Sequence, residues 1–117
     1  MPEDVRITTR YTEDDFVRAM MGIVHETGHA RYEQNLPRET RHLPVGRARS
    51  MGIHESQSLS FEMQLGRSAA FLGLIAALVK KHLGDQPAFD AINLARLYTR
   101  VRPGLIRVGR RLSLIHI

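Results

Sequence analysis

Two histidines four residues apart, with a glutamate directly after the first, form the most chemically suggestive group in this chain: His25-Glu26-Thr27-Gly28-His29. On a helix, residues at that spacing share a face, so both imidazoles can grip one ion, and neutral ring nitrogens suit Zn²⁺. Glu26 then projects beside the ion, where it can take a proton from water as a general base. The chemistry implied is metal-assisted hydrolysis. Two surface histidines could share a helical face by accident, so the reading needs a third donor from a different element. Glu55, 26 residues beyond His29, is the best candidate. A carboxylate near a helix start has a plainer explanation as well, since the helix dipole favours acidic residues there. His54 suits a role in orienting a ligand or touching a substrate oxygen, and equally an ordinary polar position at a helix start. Glu62 could orient a ligand or pair with an arginine, and the pairing is the favoured expectation. His42, His82 and His116 have no second histidine at metal spacing and read as surface residues.

Positioning these groups requires helices that face each other. The alternating run from Asp4 to Tyr11 reads as a short strand. Thr12, followed by Glu13, Asp14 and Asp15, resembles a capping box that opens a first helix from about Glu13 to about Asn35, before Pro37. Residues 37–52 hold two prolines and two glycines without apolar periodicity, so they form a loop that returns the chain toward that helix. A second long helix is expected from near Ile53 to about Leu83, with Gly66 and Gly73 allowing close packing, and a third through Phe89, Ile92, Leu97 and Val101. The expected fold is mainly α: long helices around the metal site, with a short β segment at the N-terminus.

Composition narrows the alternatives. The chain has 117 residues, enough for one small domain, but a chain this short buries a smaller share of its surface than a large enzyme and has less core to stabilise a cleft, which argues against a complete enzyme. Its formal charge of +5 could attract nucleic acid. No lysine-rich block, aromatic interleaving or zinc-finger cysteine pattern supports that partner, so none is expected. The absence of cysteine excludes disulfides and thiolate ligands, leaving histidine and carboxylate for any metal, and fits a reducing compartment. Met1 to Arg10 lacks the apolar run of a signal peptide. The longest apolar stretch, Ala69 to Val79, has 11 residues, short of the roughly 17–25 needed to span a bilayer. A cytoplasmic protein with no membrane partner is expected.

Several motifs in order, Asp4-Val5-Arg6-Ile7-Thr8, His25-Glu26-Thr27-Gly28-His29-Ala30, Tyr32-Glu33-Gln34, His54-Glu55-Ser56-Gln57-Ser58, Gly66-Arg67-Ser68 and Ile106-Arg107-Val108, resemble the carboxypeptidase Taq family of thermostable metallocarboxypeptidases. The resemblance implies a fragment of an all-helical, cleft-bearing peptidase, homodimeric at full length, that removes C-terminal residues from peptides with a free C-terminus. It implies His25, His29 and Glu55 as ligands to zinc, with cobalt as the alternative, and Glu26 as the residue that activates water. A substrate carboxylate needs a cation, for which a bidentate arginine suits better than lysine. Arg107 is the first candidate and Arg6 the second, with His54 as a further substrate contact. Leu59 and Met63 stand where the family would carry Arg and Asn, and the Ala-Asp-Glu expected after the Ile-Arg-Val stretch is replaced by Gly109-Arg110-Arg111. Residues 1–108 therefore read as the metal-site segment and 109–117 as a divergent, non-native tail. The competing expectations are a metal-binding but inactive remnant and a basic helical binding module.

Overall fold

The computed structural model describes residues 4–101 and 103. They form four α-helices: α1 (Phe16–Gln34), α2 (Met51–Leu59), α3 (Ala69–Leu83) and α4 (Ala91–Tyr98). A π-helical segment, Ser60–Leu65, continues directly from α2. The mainly α expectation holds. The chain divides into two compact units, the first ending at Gly66 and the second beginning at Arg67.

In the first unit α1 packs against both α2 and the π-helical segment. The helix starts where Asp15 accepts a hydrogen bond from the backbone of Arg18 at 3.0 Å, so this carboxylate caps α1 in place of the expected Thr12. Asp15 is the better cap because a short acidic side chain both fills the orphan N–H and meets the positive end of the dipole. At the other end the Asn35 amide donates to the Arg31 carbonyl at 2.7 Å. Ser50 caps α2 by accepting from Ile53 N–H. The loop between them is folded tightly at Gly46, where a Cβ would lie 2.1 Å from the Thr40 carbonyl oxygen, so only glycine fits.

The expected strand over Asp4 to Tyr11 is absent, and no strand occurs among the described residues. Alternation alone cannot make a strand, since its backbone groups need a partner and the described chain offers none. The expected single helix from Ile53 to Leu83 is broken. It begins two residues earlier, at Met51, passes into the π-helical segment, and stops at Gly66. Ser68 then takes an extended conformation (φ −70°, ψ 145°) and caps a new helix by accepting from Phe71 N–H.

The second unit is α3 packed on α4. Leu72, Ala76 and Val79 of α3 fall on one helical stripe and are buried, as are Leu94 and Tyr98 of α4. Gly66 fulfils its expected packing role, since a Cβ there would lie 3.0 Å from Met21 Cε and 3.1 Å from Val24 Cγ1. Gly73 does not, because nothing lies within 4 Å of its Cβ position. Among the described residues no single helix is long and apolar enough to cross a membrane.

Candidate metal centre

Gly28, between the two histidines, sets the distance between α1 and α2. A Cβ at this position would lie 2.6 Å from Ser58 Cα and 2.8 Å from the Gln57 carbonyl, so the two backbones touch where a side chain would otherwise separate them. That approach carries Glu55 over the face of α1 that holds His25 and His29. Glu55 Oε2 lies 3.3 Å from His29 Nε2 and 3.7 Å from His25 Nε2. One donor atom from each of the three residues falls within 4.8 Å of the others.

These separations fit a metal. Donors about 2.0–2.1 Å from a tetrahedral zinc stand roughly 3.3–3.4 Å apart, so the two Glu55 separations are already close to that value. The set also leaves coordination positions open. Because α2 starts at Met51, Glu55 lies beyond the first helical turn, which contains no acidic residue. The dipole therefore no longer accounts for Glu55. The buried hydroxyl of Ser58 instead holds it, donating to the Glu55 carbonyl at 2.7 Å and lying 3.3 Å from Oε2.

The two histidines of this candidate set are anchored from behind. His25 Nδ1 lies 2.8 Å from Glu62 Oε2, and since a carboxylate only accepts, that nitrogen carries the proton and Nε2 is left facing the site. The contact with His25 is what the orienting reading of Glu62 calls for. The hydrogen bond to Glu62 raises the His25 pKa, opposed by burial and reinforced by the charges of Glu55, Glu62 and Glu26. His29 Nδ1 lies 2.6 Å from His54 Nδ1, and His54 Nε2 lies 2.8 Å from Glu33 Oε1. Both nitrogens of His54 are thus engaged.

Glu26 is half-buried on α1 directly after His25, close enough to act on that ring through its charge. Arg6 is 83% exposed and forks onto Asp4, with contacts of 2.9 and 2.6 Å to one carboxylate oxygen. Arg107 and the 109–117 tail lie outside the described residues. Glu33, Ser58 and Gly28 are parts of the site that chemistry-bearing motifs alone did not assign. Glu33 was readable, since it stands at the next i+4 step after His25 and His29.

Fold and site together define a helical protein with a two-histidine, one-carboxylate constellation able to hold a metal. Comparison with known proteins gives the family. Residues 1–110 match the model of the carboxypeptidase Taq (M32) metallopeptidases. Thermostable carboxypeptidase 1 of Thermus thermophilus is 47% identical over 113 residues, covering 92% of this chain and 21% of its own length. Thermostable carboxypeptidase 1 of Pyrococcus furiosus is 40% identical over 104 residues, covering 89% and 21%. Among solved structures, Trypanosoma cruzi metallocarboxypeptidase 1 superimposes with a TM-score of 0.84 at 54% identity, over 92% of this chain and 22% of that one. The chain belongs to the carboxypeptidase Taq family. It spans about a fifth of the length of the relatives it matches.

Proposed function

We propose that this chain supplies the metal centre and general base of a metallocarboxypeptidase that hydrolyses C-terminal peptide bonds. The observation that carries the reading is the convergence of His25, His29 and Glu55 on one point, from two helices, with Glu26 directly after His25 on α1. The three residues would hold zinc, or cobalt in its place, and the bound ion would acidify a water and polarise the scissile carbonyl. Glu26 takes the attacking water's proton and delivers it to the departing amide nitrogen. The substrate's free carboxylate needs a cation, a role for Arg107, with Arg6 second because its guanidinium is paired with Asp4. Peptide substrates, a cytoplasmic location and homodimerisation of the full-length protein belong to the same reading, as does the absence of nucleic-acid and membrane partners.

Metal content of the purified chain and of His29→Ala tests the centre. One zinc per chain, lost in the variant, is expected; equal zinc in both would remove the assignment. Release of single C-terminal residues from a blocked dipeptide, by a protein extended to the family's length, tests the reaction.

A further inference from the structure

The contact between His29 and His54 is between like atoms, Nδ1 facing Nδ1 at 2.6 Å. Two bare nitrogens repel and two protonated ones clash, so one ring donates and the other accepts. Glu33 decides which. Its carboxylate can only accept, so His54 Nε2, 2.8 Å away, must carry a hydrogen. A neutral imidazole holds one ring proton, which leaves His54 Nδ1 bare and obliges His29 Nδ1 to donate to it. His29 Nε2 is then unprotonated, and it is the nitrogen that lies 3.3 Å from Glu55 in the ligand cluster.

We propose that Glu33, acting through His54, selects the tautomer of His29 whose Nε2 is free to bind metal, and does so before any ion arrives. His54 and Glu33 are positioning residues, which deepens the metal-centre reading and rests on it. The local structure holds the relay in place. Glu33 stands one helical turn beyond His29 on α1, while His54 stands on α2, so the chain of contacts crosses the same interface as the ligands. Tyr32 meets the His54 ring edge-on, with centroids 5.1 Å apart, and its hydroxyl accepts from Arg49 N–H at 3.4 Å. The His29 and His54 side chains are 21% and 20% exposed, sheltered enough for the bonds to outcompete water.

The two ligand histidines are therefore fixed differently: His25 directly by Glu62, and His29 through an intermediary ring. With both nitrogens of His54 engaged, the ring has none left for a substrate oxygen. That separates a positioning role from a substrate-binding one.

Long-range ¹⁵N NMR of histidine side chains in the metal-free chain at about pH 8, where unperturbed imidazoles are neutral, reads the tautomers directly. His29 should be protonated on Nδ1 and His54 on Nε2. In Glu33→Gln, whose amide can donate as well as accept, His29 should become a mixture of tautomers. Zinc affinity, by competition with a chromogenic chelator, should fall about 10–100-fold in Glu33→Gln and in His54→Phe. His29 protonated on Nε2 in the unsubstituted chain would overturn the proposal, as would zinc affinity unchanged in both variants. If either variant fails to fold, the unsubstituted chain's tautomers decide alone. Failure of the unsubstituted chain to bind zinc would sink the metal-centre reading, while the NMR result would still decide whether the relay exists.

Discussion

Each carboxylate around the site should fail in its own way. Glu26 is proposed to act on water without binding the metal, so Glu26→Gln should keep zinc at the unsubstituted level while hydrolysis by the family-length protein falls by about 10²–10⁴, the usual worth of a general base. Loss of zinc in that variant would make Glu26 a ligand instead. Glu55→Gln should reverse the order, weakening metal retention first. Protonation follows a similar logic at His25. Its folded pKa is raised, chiefly by Glu62, so the protonated ring stabilises the metal-free fold fully below the unfolded value of 6.5, and that contribution is lost as pH rises through the folded value. Zinc demands the unprotonated ring, so its contribution runs the other way. The rise in melting temperature on adding zinc should therefore grow from pH 6 toward pH 8, roughly across the histidine range. A zinc shift equal at both ends would mean that His25 is not a ligand.

Among the elements, the crossing of α1 and α2 decides whether the ligands meet. A methyl at Gly28 would strike the backbone at Ser58 and Gln57, which cannot swing aside as a side chain could. Gly28→Ala should cost at least about 1–3 kcal/mol and lower zinc affinity, because relief comes only by moving Glu55 away. Gly73→Ala meets open space and should instead stabilise by roughly 0.5–1 kcal/mol through helix propensity. Thermal melts with and without zinc separate the two; similar melting temperatures for both variants would contradict the close-crossing argument. The chemistry of this crossing was legible in the sequence, because His25, Glu26 and His29 carry their meaning in i+4 spacing. The helix count was less so. Periodicity runs through Leu65 to Leu72 without a gap, and the break at Gly66 rests on Ser68 capping backbone donors, a local preference that apolar spacing does not register. The strand over Asp4 to Tyr11 failed for the opposite reason, since alternation states which residues could face a core but not whether a pairing strand exists. Glu33 could be placed on the face of His25 and His29 by its i+4 spacing, but its role, like that of Ser58, depends on what a second helix brings to it.

For the molecule as a whole, the distribution of buried apolar side chains bears on how firmly the site is held. Among the described residues the buried hydrophobic side chains are Met21, Leu72, Ala76, Val79, Leu94 and Tyr98, and of these only Met21 belongs to the unit that carries His25, His29 and Glu55. Leu74 and Ile92 are 72% and 67% exposed, so the apolar surface of the second unit is far from fully used. At the crossing of α1 and α2 the backbones meet closely at Gly28, and the polar chains around His25, His29 and Glu55 span it, as would the metal they could bind. Binding energy at such a centre is folding energy, so zinc should raise the melting temperature of the 117-residue protein and make it concentration-dependent. Holding a metal asks less of a scaffold than catalysis does. Rate depends on fixing water, carbonyl and carboxylate to within about half an ångström, and a mobile scaffold loses orders of magnitude before it loses the ion. These residues match about a fifth of the length of their relatives. The 117-residue protein should therefore bind zinc yet turn over a blocked dipeptide at least about 10²-fold more slowly than a protein extended to the family's length, in zinc and in cobalt alike. Comparable turnover by the two would show that α1, α2 and the π-helical segment suffice to organise the reaction, and that the rest of the family's helices serve another purpose.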